Sequence, residues 1–243
     1  MRQYSGGMPT VLLVRHGRTT ANASGVLAGW TPGVGLDEHG REQAAALAAR
    51  MAAIPLAAVV TSPLQRCQET VRPLLQVRPE IESYTEERVG ECRYGNWSGR
   101  KLSELAEEPL WRTVQDYPSA AVFPGPEGES IRAMQARAVE AVREWDARIK
   151  EEHGNGAVFV VCTHGDIIKS VVADALGMHL DLFQRIAVEP CSVTAIRYTP
   201  ARPFLLRLGD TGELSGLVPP QENGETGGAD TGDAVVGGDP GAA

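Results

Sequence analysis

Three short apolar runs constrain the fold of this chain more than any other feature of its sequence. They occupy residues 10–14 (TVLLV), 57–60 (AAVV) and 157–161 (AVFVV), and β-branched side chains are frequent in them. Runs of this length without polar–apolar alternation are typical of strands that are buried on both faces of a sheet. They therefore predict the central strands of a sheet that is covered by helices on both sides.

Helical patterns separate these strands, and two further strands are expected late in the chain. Asp37 is a candidate N-cap, and Ser62-Pro63 resembles a cap residue followed by a first-turn proline. The predicted helices cover residues 37–51, 64–75, 129–152 and 167–176, and the late strands cover residues 191–198 and 204–208. This alternation predicts an α/β fold with a mostly parallel central sheet flanked by helices on both faces.

The ends of the chain and one internal segment depart from this alternation. Residues 98–128 contain short helical pieces and a turn-rich PGPEG stretch, which indicates a small cap inserted over one end of the sheet. Residues 1–9 are expected to form a flexible leader. Residues 211–243 contain nine glycines, six acids and no Lys or Arg, so we expect a disordered acidic tail. The folded domain is then expected to cover residues 10–210.

The charge of the chain is concentrated in that tail. The formal net charge is −8, from 31 acidic and 23 basic residues, and six of the acids lie in the tail. The remaining 25 acids nearly balance the bases. This composition argues against nucleic-acid or anionic-membrane partners, which require clustered Lys and Arg. No apolar run approaches the roughly 20 residues that span a bilayer, and four cysteines do not suggest a disulfide scaffold. We therefore expect a cytoplasmic protein; the composition carries no signal for its oligomeric state.

Histidine and arginine follow the three predicted buried strands. Arg15 and His16 come directly after the first strand, Arg66 comes shortly after the second, and His164 follows the third. In an open α/β sheet, the carboxyl ends of such strands lie at one edge, where ligands bind. Guanidinium groups match phosphate oxygens, and an imidazole is nucleophilic near neutral pH. The combination predicts a site for a phosphoryl group.

Longer motifs around these residues resemble a known family. They are LVRHGRTTAN at 13–22, LDEHGREQA at 36–44, TSPLQRCQET at 61–70, ERVGECRYGNWSG at 87–99 and VCTHG at 161–165. Together they are similar to the histidine phosphatase superfamily, the phosphoglycerate mutase-like proteins. The resemblance covers about residues 9–208, in family order and spacing.

This resemblance implies roles for individual residues. His16 would be the nucleophile that becomes phosphorylated. Glu91, four residues before Gly95, matches the family acid that protonates the leaving oxygen and then activates water. The residues that would bind the phosphoryl group and the substrate are Arg15, Gly17, Asn22, Arg66, His164 and Gly165. We count Arg15, Arg66 and His164 among the catalytic residues as well, because they would stabilise the developing charge.

The sequence contains other acids near Glu91 and other groups that could support a different chemistry. Glu86 and Glu87 compete with Glu91 by proximity alone, but they lack the spacing to Gly95. The five histidines show no metal-ligand spacing and the cysteines contain no C-x-x-C motif, so no metal and no cofactor is expected. Cysteines 67, 92 and 162 lie next to predicted site residues, either as small buried side chains or as redox-sensitive ones.

The cap bears on the choice between phosphatase and mutase. Residues 98–128 contain three bases and five acids, and such a cap would repel a polyanionic ligand.

Ala28 replaces a glutamine with which many relatives contact substrate, so the identity of the substrate does not carry over. Aromatic residues near the cap form either a mouth for an apolar substrate portion or the core of the cap itself: Trp30, Trp97, Trp111, Tyr117 and Phe123.

Taken together, the sequence predicts a metal-independent phosphomonoester hydrolase that acts through a phosphohistidine on a small phosphorylated metabolite. A cofactor-dependent phosphoglycerate mutase-type enzyme is one alternative. A non-catalytic phosphate-binding member of the family is the other, although the chain keeps every catalytic residue of the motif.

Overall fold

A computed structural model describes residues 8–212 of the chain. Residues 1–7 and 213–243 lie outside this description. The expected flexible leader is therefore described only at residues 8–9, and the expected acidic tail only at residues 211–212.

The described residues form one six-stranded sheet with the order β3-β2-β4-β1-β5-β6. The strands are β1 (Thr10–Arg15), β2 (Leu56–Thr61), β3 (Glu82–Thr85), β4 (Val158–Thr163), β5 (Val193–Tyr198) and β6 (Pro203–Asp210). The pairs β3–β2, β2–β4 and β4–β1 are parallel, whereas β5 is antiparallel to both β1 and β6. The three apolar runs are β1, β2 and β4, at the centre of the sheet, so the predicted mostly parallel α/β fold is confirmed.

Helices cover both faces of this sheet. They are α1 (Thr20–Ala23), α2 (Glu38–Met51), α3 (Gln65–Val77), α4 (Leu102–Leu105), α5 (Pro109–Asp116), α6 (Ile131–His153) and α7 (Gly165–Leu176). Along β1, Val11 and Leu13 belong to the core with α6 and α7. Leu12 and Val14 belong to the core with α2 and α3. Both faces of β1 are thus buried, which explains why its sequence lacks alternation.

Several boundaries differ from those that the sequence predicts. Helix α3 has Leu64 at its N-cap, so the interpretation of Ser62 as the cap is wrong, and Pro63 precedes the helix instead. Helix α6 begins at Ile131 behind the Ser130 cap. Strand β3 is not among the strands that the apolar patterns predict. Its sequence, ESYT, is polar and mostly exposed because it lies at an edge of the described sheet and pairs with β2 through backbone bonds.

Residues 98–128 contain α4, α5 and a turn of 3₁₀-helix at Pro118–Ala120. Trp97, Trp111 and Phe123 are buried together in this region, with ring centroids 6.3 Å apart for the Trp97–Trp111 pair and 5.4 Å apart for the Trp97–Phe123 pair. Tyr117, in contrast, is 63% exposed. Of the two interpretations of the aromatic residues, the structure favours a packed core for these three. Within residues 8–212, no helix has the length and apolar character needed to cross a membrane.

Candidate active site

Three neighbouring strands end at one edge of the sheet, and each is followed by a polar side chain that enters the same space. His16 follows β1, Ser62 follows β2 and His164 follows β4. The backbone N–H of His16 donates to the carbonyl of Thr163 at 3.0 Å, which ties the end of β1 to the end of β4. The two imidazole rings meet edge to face, with centroids 5.2 Å apart.

The ring of His16 is buried and held in one orientation. Its Nδ1 lies 2.8 Å from the carbonyl oxygen of Gly17. Because a carbonyl oxygen can only accept, the hydrogen resides on Nδ1 and the lone pair on Nε2 is left available. Burial, followed by the charges of Arg66 and Arg15, holds the pKa of His16 well below its usual value. The ring is therefore neutral at physiological pH, as a nucleophile must be.

Two buried guanidinium groups supply the positive charge of the site. Arg15 is 0% exposed and Arg66 is 2% exposed. One Nη1 hydrogen of Arg15 donates to the carbonyl of Val188 at 2.7 Å, and Nη2 of Arg66 donates to the carbonyl of Gly29 at 2.9 Å. These backbone contacts fix the side chains while their charges stay in the site. Buried guanidinium groups can bind a phosphoryl dianion with little competition from water.

His164 lies between the other polar groups of the site. Its Nε2 hydrogen-bonds to Oγ of Ser62 at 2.9 Å and lies 3.5 Å from Sγ of Cys67. Its Nδ1 is 3.7 Å from Oε2 of Glu91 and has no hydrogen-bond partner among the described residues. Burial and the charge of Arg66 lower the pKa of His164 well below its usual value. Ser62 thus orients this ring rather than capping a helix.

Glu91 is the acid that the structure brings to His164. Its side chain is buried, and Oε1 accepts a hydrogen bond from the backbone N–H of Cys92 at 2.9 Å. Burial first, and then the carboxylate of Asp166, raises the pKa of Glu91 to about 7, against the opposing charges of Arg66 and Arg15. A carboxyl group with such a pKa can donate or accept a proton at neutral pH.

The competing acids lie elsewhere. Glu86 forms a two-pronged ion pair with Arg88 at 3.0 Å, and this contact holds the pKa of Glu86 below its usual value. The side chain of Glu87 is 71% exposed and binds Arg93 at 2.8 Å. Neither carboxyl group is brought to the histidines by a described contact. The geometry therefore favours Glu91 among the three candidates.

Gly17, directly after His16, permits a close approach between two segments of backbone. A Cβ atom at Gly17 would lie 2.7 Å from the carbonyl oxygen of Gly40, at the start of α2. The N–H of Gly17 donates to Oγ1 of Thr70 at 2.9 Å. The close approach that this glycine permits is therefore to the backbone of α2. A direct contact of Gly17 with phosphate stays a prediction.

Asn22 and Gly165 occupy helix starts near the edge of the sheet. Asn22 lies in α1, and its Oδ1 accepts hydrogen bonds from N and Oγ1 of Thr19 at 3.1 and 2.8 Å, as part of a capping box. Gly165 is the first residue of α7, directly after His164 at the N-cap. Their contacts with substrate also remain predictions.

Two side chains hold the backbone of Glu91 in place. No motif in the sequence indicates either of them for this function. The guanidinium group of Arg137, on α6, donates to the carbonyls of Arg88, Gly90 and Glu91 at 2.7 to 2.9 Å. Nε1 of Trp30 donates to the carbonyl of Glu91 at 2.6 Å. The backbone of the acid is thus held from two sides. Arg137 lies 46 residues from Glu91, and its sequence context is that of an ordinary amphipathic helix.

No group of three or more His, Cys, Asp or Glu side chains with the arrangement of a metal site occurs within residues 8–212. Cys67, Cys92, Cys162 and Cys191 are all free and buried. Burial raises the pKa of Cys92 and Cys162 well above the usual range, so these two thiols lack the thiolate character of reactive cysteines.

Comparisons with known proteins place this geometry in a family context. A relative from Gloeobacter violaceus, a 2,3-bisphosphoglycerate-dependent phosphoglycerate mutase 2, is 26% identical over 193 residues, which are 79% of this chain and 86% of that protein. The phosphoserine phosphatase 1 of Hydrogenobacter thermophilus is 28% identical over 210 residues, covering 85% of this chain and 95% of that protein.

A solved structure and a family model agree with these relatives. Bacillus stearothermophilus YhfR superposes with a TM-score of 0.74 at 28% identity, covering 83% of this chain and 97% of that chain. The family model described as histidine phosphatase superfamily (branch 1) matches residues 11–211. The chain therefore belongs to the histidine phosphatase superfamily, branch 1.

Proposed function

We propose that this protein hydrolyses small phosphomonoesters by transferring the phosphoryl group first to His16 and then to water, without a metal ion. The observation that carries this proposal is the pairing of a neutral, fixed His16 ring with the two buried guanidinium groups of Arg15 and Arg66. The pairing offers a nucleophile and a phosphate-binding charge in one dry site.

In the first half-reaction, Nε2 of His16 attacks phosphorus while the ester P–O bond breaks. The phosphoryl oxygens lie against Arg15 and Arg66. The electron pair of the broken bond goes to the leaving oxygen, which takes the carboxyl proton of Glu91, because an alkoxide is a poor leaving group without a proton. The ring of His164 meets that of His16, which supports a contact of His164 with the same phosphoryl group.

In the second half-reaction, water replaces the alcohol. The carboxylate of Glu91 takes a proton from this water as its oxygen attacks phosphorus, and the P–N bond to His16 breaks. Inorganic phosphate then leaves, and both residues return to their starting states. A carboxyl group with a pKa of about 7 suits both steps, since it must be an acid in one and a base in the other.

The cap supports hydrolysis of a monophosphate over a mutase reaction that handles a bisphosphate. Two of its three bases are already paired: Arg100 binds Glu108 at 2.7 Å, and Arg112 binds Asp116 at 3.2 Å. Because some relatives are named phosphoglycerate mutases, the mutase reaction needs its own assay. Isomerisation of 3-phosphoglycerate in the presence of its bisphosphate primer measures it, and we expect a rate far below that of hydrolysis.

Turnover of p-nitrophenyl phosphate in the presence of EDTA tests the proposal directly. The wild-type chain should be active, His16→Ala should be inactive, and His153→Ala should keep the wild-type rate because that side chain is exposed at the end of α6. Brief incubation with labelled phosphoester should leave label on the protein that is stable to alkali and released by acid. Equal turnover by wild type and His16→Ala would refute the proposal.

We further propose the limits of the catalytic domain, a cytoplasmic location and a small phosphorylated metabolite as substrate. We take residues 10–210 as the catalytic domain with residues 98–128 as its cap, so a chain truncated after residue 210 should fold and keep its activity. Four free, buried cysteines fit a reducing cytosol. A panel of sugar, polyol, amino-acid and nucleotide phosphates, compared by kcat/KM, would identify the leaving alcohol.

A further inference from the structure

Helix α7 carries two buried charged side chains that the proposed reaction does not use. Asp166 is 2% exposed and Lys169 is 4% exposed. Nζ of Lys169 lies 3.7 Å from Oδ1 of Asp166 and donates to Oε1 of Gln184 at 3.0 Å. Burying a carboxylate and an ammonium group costs several kcal/mol per ion in desolvation. Such a cost is unfavourable if the pair only holds the helix in place.

Two contacts hold the segment that contains Asp166 against the segment that contains Glu91. His164 and Glu91 approach within 3.7 Å of one another. Two residues after this histidine, Oδ2 of Asp166 accepts a hydrogen bond from the hydroxyl of Tyr94 at 2.9 Å, and Tyr94 comes three residues after Glu91. The segments 91–94 and 164–166 are therefore held against each other by both their ends.

The charges around Glu91 come from every element that packs on it. Positive charges lie on β1 and α3, and both of them favour the ionised carboxylate. On α7, the carboxylate of Asp166 acts in the opposite direction, and the charge of Lys169 interacts with both acids. The titratable and charged groups that face Glu91 are Arg15, Arg66, Cys92, Tyr94, Arg137, His164, Asp166 and Lys169.

We propose that Asp166 is a positioning residue whose carboxylate, held by Tyr94 and Lys169, opposes negative charge on Glu91 and so keeps the acid proton on Glu91 in the resting enzyme. The inference rests on the proposed function, because it assigns Asp166 to the acid–base step of that reaction. It gives a reason why one acid is buried near another: the second carboxylate adds to the effect of burial and opposes the two arginines, which favour the ionised form of Glu91.

Removing the negative charge of Asp166 should change the pKa of Glu91 in a definite direction. In Asp166→Asn the arginines act on Glu91 with less opposition, so the pKa of Glu91 falls. The rate of alkyl phosphate hydrolysis then declines from a lower pH, and we expect this alkaline limb of kcat/KM to move down by about one pH unit. Aryl phosphates leave as weaker bases and need less help from an acid, so their kcat/KM should change much less.

The kinetic experiment compares β-glycerophosphate with p-nitrophenyl phosphate from pH 5 to pH 9. We expect Asp166→Asn to lose about tenfold on β-glycerophosphate above pH 7 and little below pH 6. Asp174→Asn is the matched control, because it makes the same change on the same helix at a residue that pairs with Arg143 at 2.7 Å outside the site. A limb that stays in place, or an equal loss on both substrates at every pH, would overturn the proposal.

A measurement without turnover separates this inference from the proposed function. In protein labelled with ¹³C at the glutamate carboxyl carbon, the resonance of Glu91, assigned with Glu91→Gln, should titrate at lower pH in Asp166→Asn than in wild type. The same midpoint in both would reject the role of Asp166 even if hydrolysis is observed. Should Asp166→Asn not fold, Tyr94→Phe removes one hydrogen bond to Asp166, and a smaller shift in the same direction is expected.

Discussion

Replacing the carboxyl group of Glu91 by an amide should stabilise the protein at alkaline pH while it removes activity. The carboxyl is buried, with Oε2 3.7 Å from Nδ1 of His164, and has its pKa raised to about 7. A group with a raised folded-state pKa binds its proton more tightly in the native state than in the unfolded state. Its contribution to stability is therefore present at low pH and is lost as the pH rises through the folded-state pKa.

The size of the effect follows from the two pKa values. In the unfolded chain the carboxyl titrates near its usual value of 4.5, and in the native state at about 7. Each unit of this difference is worth about 1.4 kcal/mol, so wild type loses about 3 kcal/mol of unfolding free energy between pH 4.5 and pH 8 through Glu91 alone. In Glu91→Gln this loss is absent, and Oε1 of the amide can still accept the N–H of Cys92.

Urea unfolding of wild type and Glu91→Gln at pH 4.5 and pH 8 measures the difference. The two proteins should be nearly equally stable at pH 4.5, and the variant should be more stable by about 3 kcal/mol at pH 8. For a domain of this size, that corresponds to about 6–12 °C in Tm. All other titrating groups are common to both proteins, so the change in their difference with pH reports on Glu91.

Glu104→Gln is the control for the chemical change itself. Glu104 is exposed, within residues 98–128, so its replacement makes the same acid-to-amide change away from the site and should shift stability by only a small amount. If the difference between Glu91→Gln and wild type is the same at both pH values, Glu91 is ionised normally in the native state. The acid–base assignment would then be wrong. Under that assignment, the variant should also lose about 10²–10⁴-fold in kcat on alkyl phosphates.

Three further substitutions test the frame of the site. Gly40→Ala would place Cβ 2.0 Å from a backbone carbonyl oxygen, and we expect a loss of about 1–3 kcal/mol in urea unfolding. Ser62→Ala removes the 2.9 Å bond to His164 and should lower kcat on p-nitrophenyl phosphate about tenfold, with a loss of about 1–3 kcal/mol in urea unfolding because both side chains are buried. Arg137→Met removes the guanidinium donor from the carbonyls of Arg88 and Gly90, while the carbonyl of Glu91 keeps Trp30, and urea unfolding should show about 1–3 kcal/mol of destabilisation.

The part of the fold that was predictable from sequence is the part set by local pattern. Strands β1, β2 and β4 are buried on both faces, so their apolar runs identify them without any knowledge of their neighbours. Strand β3 escaped prediction because its polar residues gain their structure from backbone pairing with β2 at an exposed edge. Pairing of this kind leaves almost no trace in the side chains.

The same distinction holds within the site. His16 and His164 follow central strands directly, so the prediction that they lie at one edge needs only the rule that parallel strands end together. Glu91 lies in a segment without a strand pattern, and only its resemblance to the family motif singled it out. Arg137 and Asp166 come from helices whose rotation about their own axes is decided by packing, which a single sequence does not specify.

The charges of the site also bear on the protonation state that we propose for Glu91 when substrate binds. In the buried site, Arg15 and Arg66 supply two positive charges, and both histidines are neutral. Asp166 and Lys169 form a buried pair of opposite charge. A phosphomonoester dianion therefore brings the whole site close to neutrality if Glu91 keeps its proton. An ionised Glu91 would leave an excess negative charge against the phosphoryl oxygens, at a cost that rises steeply in a medium of low dielectric constant. Binding of substrate should thus raise the pKa of Glu91 further. Once Glu91 has given its proton to the leaving oxygen, its carboxylate is negatively charged. The cost of this charge falls when the alcohol departs and water enters, and Glu91 can then act as the base that we propose.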